Sequence, residues 1–127
     1  MNFTVDLSGR VALVTESGSG IGQATACALA GAGAALCLND LNPDRAERTA
    51  ELIRAAGGRA MTWTADVSNR FQVAAMIEAL RDEYGRLDIV INAAGVEKRA
   101  DFLRLDEYDW RRVLEINLTG VFFCTQL

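Results

Sequence analysis

Histidine is absent from this 127-residue chain. That removes the most usual general base and the commonest metal ligand. Lysine occurs once, at Lys98, and tyrosine twice, at Tyr84 and Tyr108. No serine follows Ser68, so any proton chemistry within these residues has a short inventory. The three cysteines, Cys27, Cys37 and Cys124, are odd in number and widely spaced. They form neither a Cys-x-x-Cys pair nor a disulfide framework, and read as small core residues of a cytoplasmic protein. No metal site is expected. No apolar run reaches the ~18 residues of a membrane span. Met1–Arg10 lacks the basic and apolar regions of a signal peptide. The net charge is −4 with no Lys/Arg run, so neither nucleic acid nor an anionic membrane is an expected partner.

Half of the residues are hydrophobic and 24% are charged, with mean hydropathy +0.10 and pI about 4.8. That is the composition of a globular interior rather than a disordered tail. At this length folding hides roughly two-thirds of the unfolded surface, enough for one domain with a real core.

Short apolar runs alternate with longer amphipathic stretches. Arg10–Thr15, Ala34–Asn39, Arg59–Ala65 and Leu87–Asn92 read as strands. Helices are expected over Ile21–Ala32, Pro43–Ala56, Ser68 to about Tyr84, and from Asp106 to the C-terminus. Asn42 precedes Pro43, a cap followed by proline at the first helical position. Ser68 is the expected cap of the third helix and Asp106 of the last. Gly57-Gly58 and Gly85 stand where left-handed helix stops belong. The strands are continuous apolar runs, as in a parallel sheet covered on both faces. The order β-α-β-α-β-α-β-α predicts a parallel α/β sheet with right-handed crossovers.

Between the first strand and first helix stands Thr15-Glu16-Ser17-Gly18-Ser19-Gly20-Ile21-Gly22. Gly18, Gly20 and Gly22 permit a tight turn and a close approach of backbone to ligand. The helix behind them offers free N–H groups and a positive dipole end to a pyrophosphate. Asp40 closes the second strand, 18 residues after Gly22. An acid near that spacing can accept hydrogen bonds from an adenosine ribose and repel a 2′-phosphate. NAD is therefore expected in preference to NADP.

These residues resemble the short-chain dehydrogenase/reductase family. Its loop, T-G-x-x-x-G-x-G, is matched by Thr15 to Gly22. Its N-N-A-G signature is matched by Asn92-Ala93-Ala94-Gly95. Asp66-Val67 corresponds to an Asp-Val that contacts adenine in the family, and Asn117 to a catalytic-site asparagine. The resemblance implies a doubly wound, Rossmann-like α/β sheet in order 3-2-1-4. It implies cofactor contacts from Thr15, Ser17, Gly18, Ser19, Gly20, Ile21, Gly22, Asp40, Leu41, Asp66, Val67, Asn92, Ala93 and Gly95. It implies an NAD(P)-dependent oxidation of a small alcohol, or reduction of a ketone. In the family a Tyr moves the proton, a Lys four residues on lowers its pKa, and a Ser bonds the substrate oxygen. The Asn holds a water of the relay. The last helix packs between subunits, so a homo-oligomer is expected through that helix or through the fourth-strand edge.

Two departures stand out. The family's Ser and Tyr-x-x-x-Lys follow the segment that matches Asn117, and no such set occurs here. Tyr84 is followed four residues on by Asp88, and Tyr108 by Arg112. The chain is expected to be the cofactor-binding half of a truncated dehydrogenase, inactive alone. The alternative is a non-catalytic NAD-binding or interaction module that pairs with another subunit. A methyltransferase-like α/β domain also uses a glycine loop and a strand-two acid, but lacks the two asparagine matches. The second departure is Glu16, where the family has glycine. A left-handed backbone there would cost a non-glycine residue roughly 1–2 kcal/mol. A carboxylate some ~7 Å from a pyrophosphate would add about 2 kcal/mol of repulsion per charge at an effective dielectric of 20. Alternatively, Glu16 points to solvent at little cost.

Overall fold

The structure, a computed structural model, describes residues 3–127. Four strands, β1 (Val11–Val14), β2 (Ala35–Asn39), β3 (Arg59–Trp63) and β4 (Ile89–Ile91), form one sheet in the order β3-β2-β1-β4. Every pairing is parallel, with Leu13 opposite Cys37 on one side and Val90 on the other. The connections are helices α1 (Gly20–Gly31), α2 (Pro43–Ala55) and α3 (Arg70–Tyr84). The parallel α/β sheet is the one expected from the alternating runs, and its Rossmann-like order is the one the family resemblance implies.

The two faces of the sheet are divided by residue parity, because successive strand side chains point to opposite sides. Val11, Leu13 and Cys37 face a core with Val73, Met76, Ile77 and Leu80 of α3. Ala12, Val14, Leu36 and Leu38 face a second core with Ala26 of α1 and Ala50 and Ile53 of α2. Every residue of β1 and β2 is buried, which is why those strands read as unbroken apolar runs. Burial pushes the Cys37 thiol up to about 12 and the Cys124 thiol to about 11. Both are packing residues with no thiolate at neutral pH.

Helix ends follow local chemistry. The Asn42 side chain accepts from the N–H groups of Asp44 and Arg45, with Pro43 at the first helical position. Gly57 and Gly85 sit at φ +88° and +76°, the left-handed conformation that stops a helix. The cap of α3 is corrected. Asn69, not Ser68, accepts from the N–H groups of Phe71 and Gln72. Ser68 instead turns back to Asp66.

The last helix is also corrected. It is not one uniform α-helix: α4 (Glu107–Leu114) and α5 (Gly120–Gln126) are joined by a π turn over Glu115–Thr119. A short 3-10 turn, Phe102–Arg104, precedes them. Asp106 caps α4 through the Tyr108 N–H, as expected. The π turn places Ile116 in the core beside Val67. It also presses Gly120 against Val67, where a Cβ would lie 2.7 Å from Val67 Cγ2. Among the described residues no helix is long and apolar enough to cross a membrane.

Candidate functional site

The chain reverses direction across the sheet between β1 and β4. In open α/β sheets, ligands bind outside the carboxyl ends of the strands at such a switch point. The glycine loop leaves β1 here and the Asn92-Ala93-Ala94-Gly95 loop leaves β4. A cleft of about 180 Å³ opens at this end of the sheet. Glu16, Asp40, Leu41, Asp66, Val67 and Gly95 are among the residues that line it.

The three loop glycines have different reasons to be glycine. Gly20 sits at φ +53°, with open space where a Cβ would go. Its requirement is the left-handed turn itself. A Cβ on Gly22 would lie 2.1 Å from the Glu16 carbonyl oxygen. Helix α1 can start against the loop only because that atom is missing. A Cβ on Gly18 would lie 2.3 Å from Arg45 Cβ and 2.7 Å from Asp40 Oδ2. Gly18 thus lets the start of α2 pack on the loop. Gly20, Ile21 and Gly22 make the first turn of α1, whose N–H groups have no acceptor within the helix. Ser19 stands at its cap position without a side-chain capping bond, and Ile21 is 81% exposed.

Two predicted site residues support the loop from beneath. Ser17 is fully buried, and its hydroxyl donates to the Asn39 carbonyl at 2.9 Å. The Ser17 carbonyl accepts from the Thr49 hydroxyl at 3.0 Å. Thr15 is buried at the end of β1. Its Oγ1 donates to the Ile91 carbonyl and accepts from the Ala94 N–H at 2.9 Å. One hydroxyl therefore ties the glycine loop's strand to the loop after β4. Thr15→Val keeps the shape but removes the acceptor of the Ala94 N–H. The expected loss is about 1–3 kcal/mol of stability, read as a lower urea midpoint. An unchanged midpoint would show that the tie is dispensable.

Asp40 is only 5% exposed, yet it lines the cleft. Its Oδ2 accepts from the Gly18 N–H at 3.0 Å and its Oδ1 from the Asn42 N–H at 2.9 Å. It is no solvated turn residue. The carboxylate is aimed by two backbone donors at the junction of the glycine loop and α2. Asn39 beside it was not anticipated. It is buried, and its Nδ2 donates to the carbonyls of Trp63 and Ala65, holding β3's end against β2.

Asp66 joins the cleft to the last helix. Its Oδ1 accepts from the N–H and hydroxyl of Ser68, and its Oδ2 from Arg112 at 3.0 Å. Partial burial opposes its charge, but the Ser68 bonds and the Arg112 guanidinium outweigh that and hold the carboxyl below the usual range. Val67 is buried under Gly120. Asn92 is exposed, its amide donating to Thr125 Oγ1 at 3.3 Å, and Ala93 donates its N–H to the Ile91 carbonyl.

Asn117 lies in the π turn. Its Oδ1 accepts from the Val96 N–H and its Nδ2 donates to the Val96 carbonyl, both at 2.8 Å. A Cβ on Gly95 would lie 3.3 Å from Asn117 Oδ1, so Gly95 admits this clamp. Neither tyrosine is paired with a lysine. Tyr84 donates its hydroxyl to the Leu36 carbonyl, and Tyr108 is 71% exposed while Arg112 is engaged by Asp66. Lys98 pairs with Asp109 at 3.4 Å.

Glu16 has φ +48°, so a left-handed backbone is present here with a side chain on it. That side chain is exposed, but it does not hang free in solvent. Glu16 Oε2 accepts from the Gly95 N–H at 3.0 Å, joining the loop after β1 to the loop after β4.

Comparison with known proteins agrees with this geometry. The model of the short chain dehydrogenase family matches residues 10–127. The cis-4-hydroxycyclohexanecarboxylate dehydrogenase of Sinomonas cyclohexanicum is 44% identical over 116 residues, 91% of this chain and 46% of that protein. The D-threitol dehydrogenase of Mycolicibacterium smegmatis is 40% identical over 126 residues, 99% of this chain and 48% of that protein. The crystal structure of a short-chain type dehydrogenase/reductase from Mycobacterium marinum superposes with a TM-score of 0.92 at 34% identity. The match covers 95% of this chain and 49% of that one. The chain thus spans about half the length of the curated relatives it matches.

Proposed function

Because this chain belongs to the short-chain dehydrogenase family, we propose that its residues form the dinucleotide-binding part of an NAD(P)-dependent oxidoreductase. The whole protein would pass hydride between a nicotinamide and a small alcohol or ketone. The observation that carries this reading is convergence at one place. Glu16 of the glycine loop, the aimed carboxylate of Asp40 and the loop through Gly95 line one cleft at the carboxyl end of the sheet, and the same glycine loop runs on into the open first turn of α1.

When bound, the nicotinamide supplies the hydride chemistry; the residues here bind and orient it. The N–H groups of Gly20 and Ile21 would hold the pyrophosphate. Leu41, Asp66, Val67 and Gly95 line the cleft that would take the adenosine, and Asn92 and Ala93 belong to the loop that carries Gly95. Asn117 works by fixing the backbone at Gly95 and Val96, since its amide oxygen and nitrogen are both committed to Val96. We place the proton partner of hydride transfer outside these residues; Tyr84 bonding the Leu36 carbonyl, and the absence of a lysine four residues after either tyrosine, support that reading. We assign turnover to the whole protein and self-association to the outer side of α4 and α5.

Asp40 supports NAD over NADP. Two unit charges 4 Å apart repel by about 4 kcal/mol at an effective dielectric of 20, so a 2′-phosphate is disfavoured. Calorimetric titration should give NAD at least tenfold tighter than NADP, and Asp40→Asn should narrow that ratio. Equal affinities in the unaltered chain would overturn the Asp40 assignment. Folded protein that binds neither dinucleotide at millimolar concentration would overturn the reading itself.

A further inference from the structure

The Glu16 carboxylate lies across the place where a doubly wound sheet takes its ligand. Glu16 follows β1 and Gly95 follows β4, and the switch point lies between those two strands. The bond from Gly95 N–H to Glu16 Oε2 therefore spans the crevice, and its acceptor is a charged side chain. The cleft already presents Asp40 and Asp66. Asp66 is neutralised by Arg112 at 3.0 Å, whereas Glu16 has no cationic partner among the described ion pairs. The backbone gives Glu16 little freedom to retreat, because φ +48° holds the residue in a left-handed turn and the Glu16 carbonyl abuts Gly22.

We propose that Glu16 is an intramolecular latch across the switch-point crevice, a carboxylate that a dinucleotide has to displace in order to bind. It closes the crevice by bonding Gly95, and it opposes the pyrophosphate by charge. The latch sets affinity rather than fold. A glycine at position 16 relieves the left-handed strain, frees the Gly95 N–H and removes the charge together. A glutamine removes the charge while keeping an amide oxygen able to accept from Gly95. The charge contribution should shrink as ionic strength rises, because screening acts on exposed groups.

This proposal rests on the nucleotide-binding reading above, and the test separates the two. NAD is titrated into the unaltered chain, Glu16→Gln and Glu16→Gly at low and high salt. The expected dissociation constants fall in that order, with Glu16→Gly at least tenfold tighter than the unaltered chain. The gap between glutamate and glutamine should narrow in salt. Amide exchange without nucleotide gives a second readout: the Gly95 N–H should exchange faster in Glu16→Gly than in the unaltered chain. Equal NAD affinity across the three proteins would overturn the latch and leave nucleotide binding intact. No NAD binding by any of the three, each folded by circular dichroism, would overturn both. An unchanged Gly95 exchange rate would overturn the latch by itself.

Discussion

Gly22→Ala is expected to be the most damaging single-methyl change in the chain. Its Cβ would stand 2.1 Å from the Glu16 carbonyl oxygen and 2.9 Å from the Glu16 carbonyl carbon. Those are backbone atoms, so no side chain can rotate away. Relief requires α1 and the loop to separate, which loosens the Ala26 contacts of the second core. Overpacking of a tight site costs about 1–3 kcal/mol, and this site belongs at the upper end. NAD affinity should fall at least a hundredfold, because the first turn of α1 moves with the helix. Two controls grade the effect. Gly20→Ala meets open space but sits at φ +53°, so it carries backbone strain of roughly 1–2 kcal/mol. Gly31→Ala meets open space without a left-handed backbone, and should be neutral or slightly stabilising. Urea midpoints should rank Gly31→Ala above Gly20→Ala, and Gly20→Ala above Gly22→Ala. A Gly22→Ala protein as stable as Gly31→Ala would mean that the close packing of loop on helix is not needed.

That ranking also marks what was legible in the sequence alone. The fold was, because a parallel sheet buried on both faces needs unbroken apolar strands, and β1 and β2 are completely buried. The glycine loop announced itself by position, between the first strand and the first helix. The reason for each glycine did not. Gly18 yields space to Arg45, 27 residues away, and Gly22 to a backbone oxygen of its own loop. Sequence shows that a Cβ is missing but not which atom fills its place.

Other features were hidden because they depend on contacts between distant segments. The burial of Asn39 follows from its two bonds to the carbonyls of Trp63 and Ala65. Asp66 and Arg112 meet across 46 residues, joining a strand end to α4. Ser68 and Asn69 are both good caps by type. The choice between them is made by Asp66, which draws Ser68 into its own turn and leaves Asn69 to the helix. The π turn left no pattern in the sequence. It becomes intelligible once Ile116 must enter the core while Asn117 reaches Val96. Glu16 was visible as a departure from glycine, and its backbone strain was anticipated. Its target, the Gly95 N–H, required the two loops to be seen together.

Substituting Leu118 and Phe122 together by glutamate is expected to abolish the self-association proposed for the unaltered chain. Trp110, Leu114, Leu118 and Phe122 recur at intervals of four residues, and are 54%, 39%, 65% and 51% exposed. On a regular α-helix a stripe at that interval drifts around the axis, because four residues exceed one turn of 3.6. The π turn over Glu115–Thr119 takes more residues per revolution and offsets part of the drift. The four side chains therefore stay along one side of α4 and α5. A contiguous apolar surface of this kind marks an interaction site rather than an ordinary solvent face. The charged pair alters that surface without touching Ile116 or Cys124, which hold the helices to the core. Light scattering over a range of concentrations should show association by the unaltered chain and a single monomer mass for the double variant, with the same helical circular dichroism. An unaltered chain that stays monomeric would sink the idea. A double variant that associates as before would move the interface to β4, whose Ile89–Ile91 pairs with β1 on one side and forms the edge of the described sheet.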